Sequence, residues 1–194
     1  ELKGRWQMSK IEQLATVFRD HVAVGWPGSS SGAQRVIMIV YDPNEERTLR
    51  KKLDLFAQAA QSHQYAWHNV DLTSAFADWL GAHRYREEYF NEPNMLFAGA
   101  NERFTKYAAD MVLKALNRPQ HTGREIVGLI GAASVFGIAS LSDVLARVEH
   151  AIKGRLAVFF PGRTREGRYR LLDARDGWDY HAVAIQIESS GVRQ

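Results

Sequence analysis

The sequence predicts an α/β fold, a single three-layer domain with helices on both faces of a mostly parallel central sheet. Two observations favour this class. Short apolar runs rich in β-branched residues alternate with longer segments whose apolar residues recur every three or four positions. The chain has 194 residues, of which 45% are hydrophobic and 24% are charged. That length suits one core and is too short to divide comfortably into two domains.

Composition excludes several classes of function. The sequence contains no cysteine, which removes thiolate nucleophiles, CxxC redox chemistry and cysteine-based zinc sites, and predicts a reducing, cytoplasmic location. The longest apolar stretches, around Val36–Tyr41 and Ile126–Ala133, are far shorter than the roughly 20 residues of a membrane span. A net charge of +3 and a pI near 9.2 permit a polyanionic partner without implying one.

The first 34 residues are predicted to form an N-terminal helix and a flexible loop, ahead of a main α/β domain over residues 35–194. Ser9–Val24 places apolar residues at helical spacing behind a Ser9 cap. The segment Trp26–Gly32 is predicted to be the loop, because its small polar residues bury little apolar area.

The main domain is predicted to begin with Arg35–Tyr41, since near-continuous apolar runs are typical of strands buried on both faces. A helix over Glu45–Gln64 with an Asn44 cap is expected next. The pattern assigns no element to the aromatic, charged stretch between Leu80 and Asn101. The other predicted elements are a strand at Tyr65–Asp71, a helix at Thr73–Leu80 capped by Thr73, a helix at Asn101–Leu116, a strand at Glu125–Ile130, a helix at Leu141–His150 and a strand at Leu156–Phe160.

The C-terminal part is predicted to close the sheet with an antiparallel edge hairpin. Tyr169–Leu172 and Tyr180–Ile187 are strand-like and are separated by the polar turn Asp173–Gly177.

The segment Gly128–Gly137 is the strongest candidate for a ligand site in the sequence. A small-residue loop after a strand can aim backbone N–H groups at a phosphate, which makes Gly128, Gly131 and Ser134 candidate anion-binding residues. The segment lacks both a GK[ST] ending and a well-spaced GxGxxG motif. Tight strand-to-turn packing is therefore the favoured interpretation, and no cofactor is predicted.

Catalytic and metal-binding signals are weak. Asp42 and Asp71 follow strands, where parallel α/β folds place functional carboxylates, but an ordinary turn is the favoured interpretation of Asp42-Pro43-Asn44. His63 and His68 are spaced for neither one helix face nor an HExxH zinc site. A GxSxG elbow is also missing. The sequence therefore predicts no catalytic residue, no metal site and no enzymatic activity.

Arginine and aromatic residues are concentrated near the C-terminus. This composition is enriched at protein interfaces, and it can also contact phosphates and bases. Asp173, Asp176 and Asp179 are able to neutralise the arginines as internal ion pairs, so a structural or protein-contact role is favoured. The predicted partner-binding residues are Arg163, Arg165, Arg168, Arg170, Arg175, Trp178 and Tyr180.

Four features occur in order between Arg35 and Ile187: the run Val36–Pro43 with its charged helix, the Gly128–Gly137 turn, the Phe159–Gly162 element and the closing aromatic strand. Taken together, they resemble the BrxB family of bacteriophage exclusion (BREX) defence loci. The resemblance implies a small α/β component that works beside a large ATPase, a DNA methyltransferase and the alkaline-phosphatase-like protein PglZ against phage DNA. It implies no enzymatic activity and no particular site residue.

The favoured hypothesis is a non-catalytic adaptor that binds a PglZ-like protein or another BREX component, with Arg175 and Trp178 as anchors. One alternative is a module that binds DNA or RNA with the same arginines. Another is a degenerate nucleotide-binding protein built on Asp42, Asp71 and the Gly128–Gly137 loop. No membrane partner is expected, and the oligomeric state stays open.

Overall fold

The computed structural model describes residues 8–25, 32–97, 100–118, 122–165, 168–171 and 182–187. Within these ranges the strands are β1 (Val36–Tyr41), β2 (Ala66–Asp71), β3 (Glu125–Ile130), β4 (Arg155–Arg165), β5 (Arg168–Leu171) and β6 (Val183–Ile185). The helices are α1 (Lys10–Ala23), α2 (Glu46–Lys51), α3 (Leu53–Ser62), α4 (Ala75–Gly81), α5 (Arg86–Asn91), α6 (Pro93–Phe97), α7 (Ala100–Leu116) and α8 (Leu141–Val148).

The strands of the described residues form one sheet with the order β2-β3-β4-β1-β6, while β5 pairs with β4 outside this row. All neighbours along the row are parallel. Every residue of β1 and of β3 is buried, as expected for strands with helices on both faces. The predicted α/β class with a mostly parallel sheet is confirmed.

Consecutive residues of β1 divide between two hydrophobic clusters, one on each face of the sheet. Ile37 and Ile39 pack with α1 and α3. Met38 and Val40 belong to the cluster on the other face, which includes residues of α4, α7 and α8. The three-layer architecture follows from this alternation, because successive side chains of a strand point to opposite faces.

An aromatic cluster attaches α1 to the sheet. The ring centroid of Phe18 lies 5.6 Å from that of Phe56 in α3 and 5.9 Å from that of Trp67 in β2. Phe56 in turn meets Phe159 of β4 edge to face at 4.9 Å. Such pairs contribute about 0.5–1.5 kcal/mol each beyond the area they bury, so the N-terminal helix is part of the core of the α/β domain.

The observed bounds of two helices differ from the predicted ones. The helix expected over Glu45–Gln64 is divided at Lys52, whose ammonium lies 2.9 Å from Oε1 of Glu12 and whose φ and ψ, −117° and 16°, are not helical. Thr73 does not cap the next helix, which begins at Ala75, because its N–H and hydroxyl bind Asp71 instead. Local periodicity carries no information on these contacts.

The C-terminal strands pair differently from the prediction. The expected hairpin between Tyr169–Leu172 and Tyr180–Ile187 is wrong, because β5 pairs antiparallel with β4 and β6 pairs parallel with β1. β4 accordingly continues past Phe160 to Arg165. Burial of Ile185 in the cluster beneath α1 favours the position of β6 beside β1. The predicted turn Asp173–Gly177 lies outside the described residues.

The N-terminus of α1 carries a capping box, as its sequence predicts. The backbone N–H of Ser9 donates to Oε2 of Glu12 at 2.6 Å, and the N–H of Glu12 donates to Oγ of Ser9 at 3.3 Å. The hydrogen bond with Lys52, together with those from Ser9, lowers the pKa of Glu12 from 4.5 to about 2.

Replacement of Glu12 by Gln is expected to lower the free energy of unfolding at pH 7. A carboxyl whose folded-state pKa is depressed contributes stability above its unfolded value and loses it as the pH falls, so the difference between Glu12→Gln and the native chain should shrink between pH 4.5 and about 2. Urea unfolding from pH 7 to pH 3 measures this. Glu92→Gln, at an exposed position, is the control, and a pH-independent difference for Glu12→Gln would contradict the interpretation.

Candidate functional site

A cleft of about 980 Å³ opens at the carboxyl ends of β1 and β4. Open α/β sheets bind ligands in crevices outside the carboxyl ends of their strands. The polar lining of this cleft consists of Ser9, Lys10, Gln13, Asp42, Glu45, Arg163, Thr164 and Gln186.

The unequal lengths of the strands shape the cleft. β1 ends at Tyr41, whereas its neighbour β4 continues to Arg165. Beyond the end of β1, the hydroxyl of Thr164 donates a hydrogen bond to Oε1 of Gln186, which follows β6. The chain segments on the two sides of β1 therefore come together past its carboxyl end.

Asp42 lines the cleft, but its carboxylate is engaged in a turn. Oδ1 accepts hydrogen bonds from the backbone N–H and from the side-chain amide of Asn44, both at 3.0 Å. Asp42 is the N-cap of the 3₁₀ turn Pro43–Glu45. The turn interpretation is thus confirmed. The predicted Asn44 cap of the following helix is wrong, because the N-cap position of α2 is Glu45, which makes no side-chain capping bond.

Arg50 of α2 forms a second polar group at the same edge of the sheet. Its Nε donates to Oε1 of Glu46 at 2.6 Å, and its Nη1 donates to Oδ2 of Asp71 at 3.1 Å. Nη2 donates to the hydroxyl of Thr73 at 2.7 Å, and the hydroxyl of Tyr41 donates to Oε2 of Glu46. These bonds connect the ends of β1 and β2, which are separated in the sheet by β4 and β3.

The protonation states of this network are stabilised by its own hydrogen bonds. Partial burial opposes the charge of Asp71, but the hydrogen bonds from Thr73 and Arg50 outweigh it and lower the pKa of Asp71. Burial likewise opposes the charge of Arg50, while its bonds to Glu46 and Asp71 raise the pKa of the guanidinium. Burial and the bond to Glu46 raise the pKa of Tyr41. Near neutral pH these three groups are held in one protonation state, which suits a structural role.

The glycines of the Gly128–Gly137 segment meet close neighbours. A Cβ on Gly128, which lies inside β3, would be 2.4 Å from Cζ2 of Trp67. Gly131 has a φ of +74°, and a Cβ there would be 2.7 Å from both N and Oγ1 of Thr73. The N–H of Ser134 donates to the carbonyl of Gly131 at 2.9 Å. This geometry supports strand-to-turn packing, and anion binding by Gly128, Gly131 and Ser134 stays a prediction.

Residues 162–165 of β4 and the strand β5 form a two-stranded antiparallel ribbon, here called the arginine ribbon. Its register places Arg163 opposite Arg170 and Arg165 opposite Arg168. Directly opposite residues of an antiparallel pair share a face, and residues two apart in a strand also share one. The four arginine positions therefore belong to one face of the ribbon, here called the four-arginine face.

The structure thus brings together the first four of the predicted partner-binding residues. Arg163 is exposed and lines the cleft. Arg165, Arg168 and Arg170 are located by their strand positions. The other predicted partner-binding residues, Arg175, Trp178 and Tyr180, lie outside the described residues.

The sequence pattern missed an exposed aromatic surface between α4 and α7. Tyr85, Phe90 and Met95 are 41%, 60% and 50% exposed, and the guanidinium carbon of Arg84 lies 4.3 Å from the centroid of the Tyr85 ring. α5 and α6 are too short for a clear helical period. The sequence signal for this surface was its composition, because tyrosine, phenylalanine, methionine and arginine are enriched at protein interfaces.

The described residues hold no group of three or more histidine, aspartate or glutamate side chains placed to bind a metal ion. Nδ1 of His68 lies 2.7 Å from Nη1 of Arg118.

Among the helices of the described residues, none is both long enough and apolar enough to cross a bilayer.

Comparison with known proteins was made at three levels. No protein-family model matches this chain, and neither the curated proteins nor the solved structures give a significant match. The BREX resemblance therefore stays a prediction, and the functional argument depends on the geometry of this chain.

Substitution of Gly131 by Ala is expected to destabilise the fold by on the order of 3 kcal/mol, because positive φ and the contact with Thr73 both oppose a Cβ. Gly137→Ala is the matched control. Its φ is +80°, but a Cβ there would meet nothing within 4 Å, so a loss of about 1 kcal/mol is expected. Chemical denaturation measures both, and equal losses would show that the close approach to Thr73 contributes nothing.

Substitution of Arg50 by Lys keeps the positive charge but removes the planar fork that reaches Glu46, Asp71 and Thr73 together. We expect a loss of about 1 kcal/mol in the free energy of unfolding. Arg47→Lys changes an exposed arginine of the same helix and should have almost no effect. Equal stability of the two variants would contradict a structural role for the Arg50 network.

Proposed function

We propose that this chain is a non-catalytic adaptor of a BREX-type anti-phage complex, and that it binds a larger protein such as a PglZ-like partner. The observation that carries the proposal is the arginine ribbon, with Arg163 and Arg165 opposite Arg170 and Arg168. Arginine is enriched at protein interfaces and is frequent among the residues that dominate binding energy. The ribbon therefore supplies a candidate docking element.

The attachment of the ribbon to the core supports a docking role. β4 is buried at every position from Arg155 to Gly162 and becomes exposed at Arg163. Its buried part pairs with β1 and β3 inside the sheet. A docking element held by a buried strand loses little conformational freedom on binding, and this favours affinity.

The carboxylates at the same edge of the sheet support a non-catalytic role. Asp42 accepts two hydrogen bonds from Asn44 in a turn. Asp71 accepts hydrogen bonds from Thr73 on one oxygen and from Arg50 on the other. The two residues on which a degenerate nucleotide-binding or hydrolytic protein would depend therefore have local structural roles.

The proposal predicts a stable complex with the PglZ-like protein encoded at the same locus. Mixed at low and at physiological salt without DNA, the two should elute together in size-exclusion chromatography at the combined mass given by light scattering. The double variant Arg175→Ala/Trp178→Ala should weaken binding more than threefold, about 0.7 kcal/mol, because these residues are the predicted anchors.

The control for this experiment is Arg47→Ala, which removes an exposed arginine from α2, away from the ribbon. It should bind like the native chain. Separate elution of the native chain and the PglZ-like protein at both salt concentrations would refute the adaptor proposal for this partner.

A further inference from the structure

β2 lies at one end of the sheet, and its outer side has no neighbouring strand among the described residues. In the row β2-β3-β4-β1-β6, it pairs only with β3, over its full six residues. The strand at the other end, β6, has three residues. Natural edge strands are usually protected by proline, lysine, a bulge or a very short length, because unpaired backbone groups attract another strand. The sequence of β2, AWHNVD, contains neither proline nor lysine, and its register with β3 is uninterrupted.

The hydrogen bonds of β2 show which backbone groups face outward. The N–H groups of Ala66 and Leu72 both donate to carbonyls on the β3 side, at 3.0 and 2.9 Å. Alternate residues of a parallel strand direct their backbone groups to opposite sides. The N–H and C=O groups of Trp67, Asn69 and Asp71 therefore point away from β3. These six groups are here called the open edge of β2.

The open edge is held rigidly by the core behind it. The ring of Trp67 meets those of Phe18 and Phe159, with centroids 5.9 and 6.4 Å apart. The indole N–H of Trp67 donates to Oδ1 of Asn69 at 2.7 Å. Of the six residues of β2, only Val70 is buried. An exposed strand that is already ordered loses little conformational freedom when another strand pairs with it.

The open edge is complementary to itself in the antiparallel orientation. With Asn69 opposite Asn69 of a second copy, Trp67 of each copy stands opposite Asp71 of the other. Each of these three pairs is of the type that exchanges two backbone hydrogen bonds. This register, about a two-fold axis, uses all six outward groups of both copies, whereas a shift of two residues would leave some of them unpaired.

The charges at the two ends of β2 favour the same orientation. At its amino end, the exposed Arg124 has its guanidinium carbon 5.5 Å from the centroid of the Tyr65 ring. At its carboxyl end, Asp71 is the last residue. Antiparallel pairing sets the basic end of each copy beside the acidic end of the other. The two Asp71 residues are four positions apart along the pair, roughly 13 Å, which exceeds the Debye length of about 10 Å at 0.1 M salt.

We infer that β2 pairs antiparallel with β2 of a second copy of this chain, so that the sheets of the two copies join into one continuous sheet. Complementarity of register and of charge favours a second copy over a segment of another protein. The inference goes beyond the adaptor proposal and does not depend on it, because no residue of the arginine ribbon takes part. The dimer is held mainly by uncharged backbone groups, so its stability should change little with salt.

Light scattering after size-exclusion chromatography tests the dimer, with the chain loaded at about 5 to about 500 µM to bracket a micromolar affinity. The native chain should move from the 22.0 kDa of a single copy toward twice that mass as its concentration rises. Asn69→Lys should associate at least tenfold more weakly, because two lysines would face each other at the centre of the pair. Ala184→Lys adds the same charge at an exposed position of β6 and should dimerise like the native chain.

The register is tested with single cysteines, because the native sequence contains none. Opposite Cα atoms in a hydrogen-bonded antiparallel pair lie about 5.5 Å apart, within reach of a short bis-maleimide. Asn69→Cys should form a covalent dimer at least tenfold more efficiently than Ala184→Cys. Urea unfolding verifies that each variant is folded. If Asn69→Lys is unfolded, Asn69→Pro replaces it, because the N–H that proline removes faces outward and not toward β3.

Three results would overturn the inference. The first is the mass of a single copy for the native chain over the whole concentration range. The second is a dimer that the folded Asn69 variant leaves intact. The third is cross-linking of Ala184→Cys that equals that of Asn69→Cys, which would place the contact between copies away from β2.

Discussion

The burial of β1 on both of its faces is the constraint on which the rest of the structure depends. All six residues of this strand are buried, and they belong to two separate hydrophobic clusters. α1 and α3 must cover one face, and α4, α7 and α8 must cover the other, because an exposed face would leave large apolar side chains in water. Since β1 ends at Tyr41, the polar groups that follow it, beginning with Asp42, are placed together at one edge of the sheet.

β4 connects this core to the surface that we propose to be functional. Its first half satisfies the same burial constraint as β1, with which it pairs from Leu156 to Pro161. Its second half leaves the row of parallel strands and pairs with β5 to form the arginine ribbon. One continuous strand thus belongs both to the centre of the sheet and to the ribbon that we propose as the docking element. Attachment to a buried strand lowers the ordering cost that such an element would have on binding.

The parts of the fold that depend on local pattern could be predicted from the sequence, and those that depend on distant pairing could not. The near-continuous apolar run of β1 and the Ser9 cap of α1 are local signals, and both predictions are confirmed. The position of β6 beside β1 depends on a strand far away in the sequence, and the non-helical backbone at Lys52 interrupts a continuous apolar period. At the site, the arginine density was visible, but the register that gathers four arginines on one face was not.

Two sets of charged residues lie at the carboxyl edge of the sheet: the hydrogen-bonded set that contains Asp42, Asp71 and Arg50, and the arginine positions of the ribbon. Asp42 and Asp71 accept hydrogen bonds that stabilise turns and connect strands, so their charges support the folded state. The arginines of the ribbon stand opposite arginines, an arrangement that opposes strand pairing. Local rules are violated in natural proteins mainly where function requires it. The register that pairs arginine positions with arginine positions is such a departure from a local rule, and it is a physical reason to propose the functional surface there.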